Sequence, residues 1–204
     1  TTFRVGYNKD GAINALHLDA LENSGGYGSH ALTVLANAGS KSLPLLNKIQ
    51  NLKFTGKGVY TNLPVGGAYR GYGATEAYFG YGQIVDMVCE DAGCDIIEYY
   101  KKWTIKAGET SPIFKALGEG KEGVAMIVTS TSLNECIDVG AKLSGWYEKK
   151  KLYGGDFNKG KRHKRGIGMV ALMQGSAIPE IDMASAYMKM NDDGSFNLMV
   201  GATD

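Results

Sequence analysis

The chain has no excess of either charge: 22 basic and 21 acidic residues leave a formal net charge of +1. That balance gives no electrostatic ground for binding nucleic acid or an acidic membrane surface. No run of roughly 18 apolar residues is present, so no membrane-spanning helix is expected, and the N-terminus carries no basic-then-apolar leader. Cysteine is scarce. Cys89, Cys94 and Cys136 are odd in number, with no CxxC or histidine-paired spacing, and are read as free thiols in a reducing, cytoplasmic compartment. Several catalytic templates are missing too. There is no GxSxG elbow and no phosphate-loop GxxxxGK[ST], and the three histidines have no assignable partner. Gly71-Tyr72-Gly73 lacks the third glycine of a dinucleotide fingerprint. As a channel filter the same triplet fails for want of a spanning helix.

What is present belongs to a folded chain. Its 204 residues allow one large domain or two small ones, and 44% hydrophobic content is ample for a core. Glycine is abundant, at 29 residues, roughly double the usual ~7%. It is spread without a period, which points to many turns and close backbone approaches.

Residues 3 to 25 read as two strands around the turn Asn8-Lys9-Asp10-Gly11, with Leu16, Leu18 and Ala20 alternating against His17 and Asp19. His17 is therefore expected on the sheet surface, without a ligand role. Glu22 to Gly28 is expected as a loop. Ala31, Leu32, Leu35 and Ala36 allow a short helix that Gly39 would end, and Asn51 to Tyr60 reads as a strand. Ala77, Tyr81, Ile84, Val85 and Val88 share one helical face, and Gly93 closes that helix. Asp95 and Glu98 have capping-box spacing for another, carrying Ile97, Tyr100, Thr104 and Ala107 and stopping at Gly108. Thr110 to Gly123 reads as a loop or crossover. A third helix follows Ser132 along Leu133, Cys136, Ile137, Gly140, Leu143 and Tyr147, ending in the cations after Glu148. The basic run 159–165 is taken as solvated, because no aromatic partners are interleaved with it. Gly166 to Leu172 suits a buried strand. Ala184 to Met190 and Phe196 to Val200 form a hairpin around Asn191-Asp192-Asp193-Gly194. The expected class is α+β, with β-rich lobes and helices packed between them. Residues 1–110 form one lobe and 111–204 the other.

The stretch that organises the rest is Thr61 to Ala77, TNLPVGGAYRGYGATEA. Its glycines let a backbone approach a ligand closely. Arg70 offers a planar fork of donors that stays charged, and Tyr72 offers a flat π face. Thr61-Asn62-Leu63-Pro64 with Ala68-Tyr69-Arg70-Gly71-Tyr72-Gly73 resembles the TNLP…AFRGFG segment in the large catalytic subunit of molybdenum hydroxylases, the xanthine dehydrogenase and aldehyde oxidase family. Gly201-Ala202-Thr203-Asp204 is similar to that family's GGTE element.

The resemblance implies an internal segment of a molybdopterin-binding subunit that inserts a water-derived oxygen into a C–H bond of a purine, another N-heteroaromatic or an aldehyde. It implies a molybdenum-pterin cofactor, plain or as the cytosine dinucleotide, with iron-sulfur clusters and FAD on other chains or domains. The partners implied are the rest of the catalytic subunit, iron-sulfur and flavin subunits, and a small-molecule substrate. The pterin dithiolene holds the metal, so no metal ligand is expected from this chain. By the same likeness, Arg70 and Tyr72 are the catalytic candidates. Ala68, Tyr69, Arg70, Gly71, Gly201, Ala202, Thr203 and Asp204 are the candidate cofactor contacts, and Tyr72 and Gln174 the candidate substrate contacts. Tyrosine in place of the usual phenylalanine keeps the stacking face and adds a hydroxyl.

Bland readings stand beside these. Arg70 can brace the loop by bonding carbonyls, and Tyr72 can be core. Glu180 and Asp182 are weak candidates for a base, since the family's essential glutamate lies far downstream; without it the isolated chain is expected to be inactive. The alternative to an enzyme is a non-catalytic α+β module that binds a ligand or partner.

Overall fold

The computed structural model describes residues 1–118, 122–154, 156–175 and 184–201. They fall into two compact units, Thr1–Gln174 and Gly175–Asp204, and the α+β expectation holds.

The first unit is built on a three-stranded sheet in the order β1-β2-β3, with β1 Thr2–Tyr7, β2 Ile13–Gly25 and β3 Asn51–Tyr60. The polar turn at Asn8 to Gly11 returns β1 onto β2 antiparallel, and β3 lies parallel to β2. That parallel pairing requires a crossover. It is supplied by helix α1, Ala31–Ser42, which packs against α2, Ala74–Ala92. The alternation seen in the sequence is the burial pattern: Leu16, Leu18 and Ala20 face the core. Against them lies the apolar stripe of α2, in which Ala77, Tyr81, Val85 and Val88 are buried. Helix α3, Ile96–Trp103, completes this core with Ile96, Ile97, Tyr99 and Tyr100. Asp95 caps it as expected, its carboxylate accepting from the N–H groups of Ile97 and Glu98. Helices α4, Pro112–Ala116, α5, Leu133–Ser144, and α6, Trp146–Gly154, follow, with a short 3-10 turn at Asp156–Asn158.

Several boundaries differ from the sequence reading. β2 runs on to Gly25, where a loop was expected from Glu22, because β3 pairs with it as far as Tyr60. Gly39 does not end α1. It sits inside the helix where the Phe54 ring and Leu117 press too close for a Cβ, and Leu32 points outward. α3 stops at Trp103, because Thr104 turns extended and bridges Leu46. The expected loop after Thr110 contains α4, which Ser111 and Pro112 start. α5 ends earlier than expected, since Gly145 takes the left-handed conformation and Trp146 begins a separate helix. Of the expected α5 stripe, Ile137 is buried and Leu143 is exposed. The basic run is solvent-facing, although Lys161 lies over the Phe157 ring at 3.4 Å. Gly166 to Leu172 is not a paired strand among the described residues. Its alternate residues Ile167, Met169 and Ala171 nevertheless pack on the core.

The second unit contains β4, Ala186–Met190, and β5, Phe196–Val200, paired antiparallel as expected. Ala186 and Val200, Met188 and Leu198, and Met190 and Phe196 stand opposite one another, giving the hairpin one wholly apolar face.

Candidate functional site

The loop between β3 and α2 is pinned at both ends and open in the middle. At its start Thr61 donates its backbone N–H to the Gly25 carbonyl at 3.1 Å and its hydroxyl to Asn23 Oδ1 at 2.7 Å. Gly66 N–H then bonds the Ser24 carbonyl at 3.1 Å. The chain passes so close to the end of β2 that a Cβ on Gly25 would stand 2.2 Å from the Pro64 carbonyl oxygen, and the φ of +69° there independently demands glycine. At its exit the N–H groups of Thr75 and Ala77 bond the carbonyls of Gly71 and Gly73, each at 3.1 Å, starting α2. Gly73 has φ +80°, and a Cβ on it would lie 1.9 Å from the Val34 carbonyl oxygen of α1.

Between these anchors the N–H groups of Gly67, Ala68, Tyr69 and Arg70 donate to no acceptor among the described residues, and nothing lies within 4 Å of where a Gly67 Cβ would be. Tyr69 is 81% exposed. Arg70 is exposed and makes no ion pair or hydrogen bond to a carbonyl among the described residues. Tyr72 is half-buried and stands outside the main core cluster.

A cleft of about 760 Å³ runs beside the loop, between the outer face of α2 and residues 168–174. Its walls are largely apolar, with Phe79, Val170, Leu172 and Met173 prominent. Thr75, Gln83, Asp86 and Gln174 supply the polar groups. Gly71 and Gln174, far apart in sequence, thus border the same cleft, while Arg70 and Tyr72 do not line it. The strip 168–174 is held by a hydrogen bond to Tyr78. The Tyr78 hydroxyl accepts from Met173 N–H at 3.0 Å and donates to the Lys41 carbonyl. Tyr100, also buried, lies close to the backbone at Ala171 of the strip. Burial pushes both phenols up, so they stay neutral. Near the first turn of α2, burial and then the Glu76 carboxylate raise Glu22 above the usual carboxylate range. Its Oε2 is buried without a partner among the described residues.

Gly201 belongs to the second unit, where its N–H bonds the Ser185 carbonyl at 2.9 Å. Ala202, Thr203 and Asp204 lie outside the described residues, as do Glu180 and Asp182. Phe79 and the Tyr78 anchor escaped the sequence reading. Phe79 is 78% exposed on a helix whose other large apolar residues are mostly buried. An aromatic off the apolar stripe was the signal that could have found it.

Residues 1–104 match one molybdopterin cofactor-binding domain family and residues 140–204 a second of the same description. The chain belongs to the molybdopterin cofactor-binding domain family, and xanthine dehydrogenase and aldehyde oxidoreductase relatives cover it end to end. It is 32% identical over 204 residues to the probable hypoxanthine oxidase of Escherichia coli K12, covering 100% of this chain and 20% of that protein. It is 28% identical over 191 residues to the aldehyde oxidoreductase of Megalodesulfovibrio gigas, covering 93% of this chain and 19% of that one. The crystal structure of the Desulfovibrio desulfuricans aldehyde oxidoreductase superposes with a TM-score of 0.67 at 27% identity, over 96% of this chain and 20% of that one. The chain therefore spans about a fifth of the length of these relatives.

The loop fits such a cofactor. Four successive exposed residues whose N–H groups have no acceptor among the described residues, and a guanidinium with no acidic partner among them, form a donor set for an acceptor-rich, anionic group. No group of three or more histidine, cysteine, aspartate or glutamate side chains among the described residues could hold a metal directly.

Proposed function

We propose that this chain forms part of the molybdenum-binding catalytic subunit of a hydroxylase, with residues 1–110 in one cofactor-binding lobe and 111–204 in the other. The reading rests on one observation: between two fixed ends the loop from Gly67 to Arg70 is exposed, with backbone donors and a cation that have no acceptor among the described residues. When bound, the molybdenum-pterin group supplies the oxygen-transfer and two-electron chemistry. The chain's own residues hold and orient. The N–H groups of Ala68, Tyr69 and Gly71 and the Arg70 fork bind acceptor atoms of the cofactor, with Gly201 to Asp204 contributing a second contact. Arg70 also bonds an acceptor on the substrate. Tyr72 gives its ring face to a flat substrate, and Gln174 bonds a polar edge across the apolar wall of Phe79 and Leu172.

The substrate class is an N-heteroaromatic or an aldehyde. The relatives named above act, by their names, on hypoxanthine and aldehydes, and a further relative from Emericella nidulans is a nicotinate hydroxylase. Iron-sulfur and flavin partners carry the electrons away. Three unbridged thiols fit a reducing, cytoplasmic setting.

The test is Arg70→Ala in the full-length protein as isolated. Molybdenum content and turnover of hypoxanthine, nicotinate and a simple aldehyde are measured beside wild type. A loss of turnover of about 100-fold or more, with the fold intact, is expected for removal of a positioned charged donor. Unchanged turnover and metal content would remove Arg70 from the site.

A further inference from the structure

The end of α2 brings together two residues that the sequence reading kept apart. Gly93 takes the left-handed conformation at φ +68°, Cys94 N–H bonds the Cys89 carbonyl at 2.9 Å, and Gly93 N–H bonds the Glu90 carbonyl at 3.3 Å. This is the paired-bond helix stop in which the second residue past the helix folds back onto the residue five before it. The two side chains that meet there usually make an apolar contact, and here both are cysteines. The two thiols lie near one another and near Tyr99. Cys94 Sγ also rests on the β1–β2 turn, 3.2 Å from where a Cβ on Gly11 would stand. The three cysteines are unbridged, with Cys89 buried, Cys94 half-buried and Cys136 exposed.

We propose that Cys89 and Cys94 are a modification site, closing to a disulfide when the protein meets a hydroperoxide. The half-buried Cys94 is the sulfur an oxidant can reach. Its sulfur attacks the peroxide, an S–O bond forms as the O–O bond breaks, and water or an alcohol leaves. The Cys89 sulfur then attacks the Cys94 sulfur, forming the S–S bond and breaking the S–O bond. The hydroxide released takes up the Cys89 proton as water. Two thiols lose two electrons and two protons, and the peroxide is reduced by two electrons. The neighbouring thiol thus intercepts the sulfenic acid before further, irreversible oxidation. Burial, and then Cys94 itself, raise the Cys89 thiol well above its ordinary range, so the second step is the slower one and quickens as pH rises.

No lysine or arginine separates the two positions, so trypsin releases both in the single peptide Gly71–Lys101. Full-length protein, isolated reduced, is treated with hydrogen peroxide, blocked with N-ethylmaleimide and digested. The expected peptide is lighter by two hydrogens, carries no maleimide, and becomes doubly labelled when dithiothreitol precedes blocking. In Cys89→Ser, Cys94 should advance instead to the sulfinic and sulfonic acids. The proposal is overturned if wild-type Cys94 reaches the sulfinic acid while Cys89 still labels. It is equally overturned if the peptide stays doubly labelled under peroxide that oxidises Cys136.

Discussion

The Tyr78 hydroxyl bridges two backbone groups far apart in the sequence, donating to the Lys41 carbonyl and accepting from Met173 N–H at 3.0 Å. Residues 166 to 175 pair with no strand among the described residues, so this bond stands in for a ladder and holds the wall of the cleft against α2. In Tyr78→Phe both backbone groups lose the hydroxyl. A loss of about 1–3 kcal/mol in denaturant unfolding is expected, with faster amide exchange at Met173. Unchanged exchange at Met173 would show that the wall is held by packing alone.

Two glycines of the same loop should answer oppositely to alanine. At Gly73 the backbone is left-handed and a Cβ would collide with the Val34 carbonyl, so Gly73→Ala must displace the loop from α1. Left-handed strain alone costs about 1–2 kcal/mol, and the collision adds to it. A lowered melting temperature, or failure to accumulate folded protein, is expected. Gly67 faces open space, so Gly67→Ala should melt within about 0.5 kcal/mol of wild type. If the open N–H run is the cofactor contact, Gly67→Ala should still lower molybdenum content. Wild-type metal content there would place the cofactor elsewhere on the loop.

The two serine and aspartate caps read from the sequence also separate. Asp95 accepts from two N–H groups at the start of α3, whereas Ser132, in the same relation to α5, makes no side-chain cap bond. Asp95→Ala should cost about 1 kcal/mol, and Ser132→Ala should be neutral within error. Urea midpoints of the two variants at equal slope decide the matter.

Legibility in the sequence followed how local the cause was. α2 was readable from Ala77 to its stop at Gly93, since a 3.6-residue stripe and a closing glycine are both local signals. The Asp95 cap and the hairpin around Asn191 to Gly194 were readable for the same reason. Gly39 misled, because its smallness answers to the Phe54 ring arriving from β3 and Leu117 from beyond α4, contacts no local pattern contains. Gly166 to Leu172 has the apolarity of a strand, yet its alternate residues pack on the core without a ladder, and Met173 beside it bonds the Tyr78 hydroxyl of α2. At the site, the glycines and Arg70 announced the loop. The cleft that joins Gly71 to Gln174 exists only after α2 and the distant strip come together.

Glu22 sets a pH dependence whose sign can be worked out. Burial first and Glu76 second raise its carboxyl above the usual range, and its Oε2 has no partner among the described residues. The folded state therefore holds this proton more tightly than the unfolded chain does. The penalty is absent well below the ordinary carboxylate pKa of about 4.3. It grows as pH rises through that value and is fully present above the raised folded pKa. Glu22→Gln removes the titration. An unpaired buried acceptor costs about 1–3 kcal/mol, and partial exposure of Glu22 places it at the low end. The variant should thus be about 1 kcal/mol more stable than wild type at neutral pH, with the gap closing as the pH is lowered through the carboxylate range. Melting curves of the two proteins across that range test the sign. A variant less stable than wild type at neutral pH would mean that the ionised carboxylate holds the end of β2 to the first turn of α2.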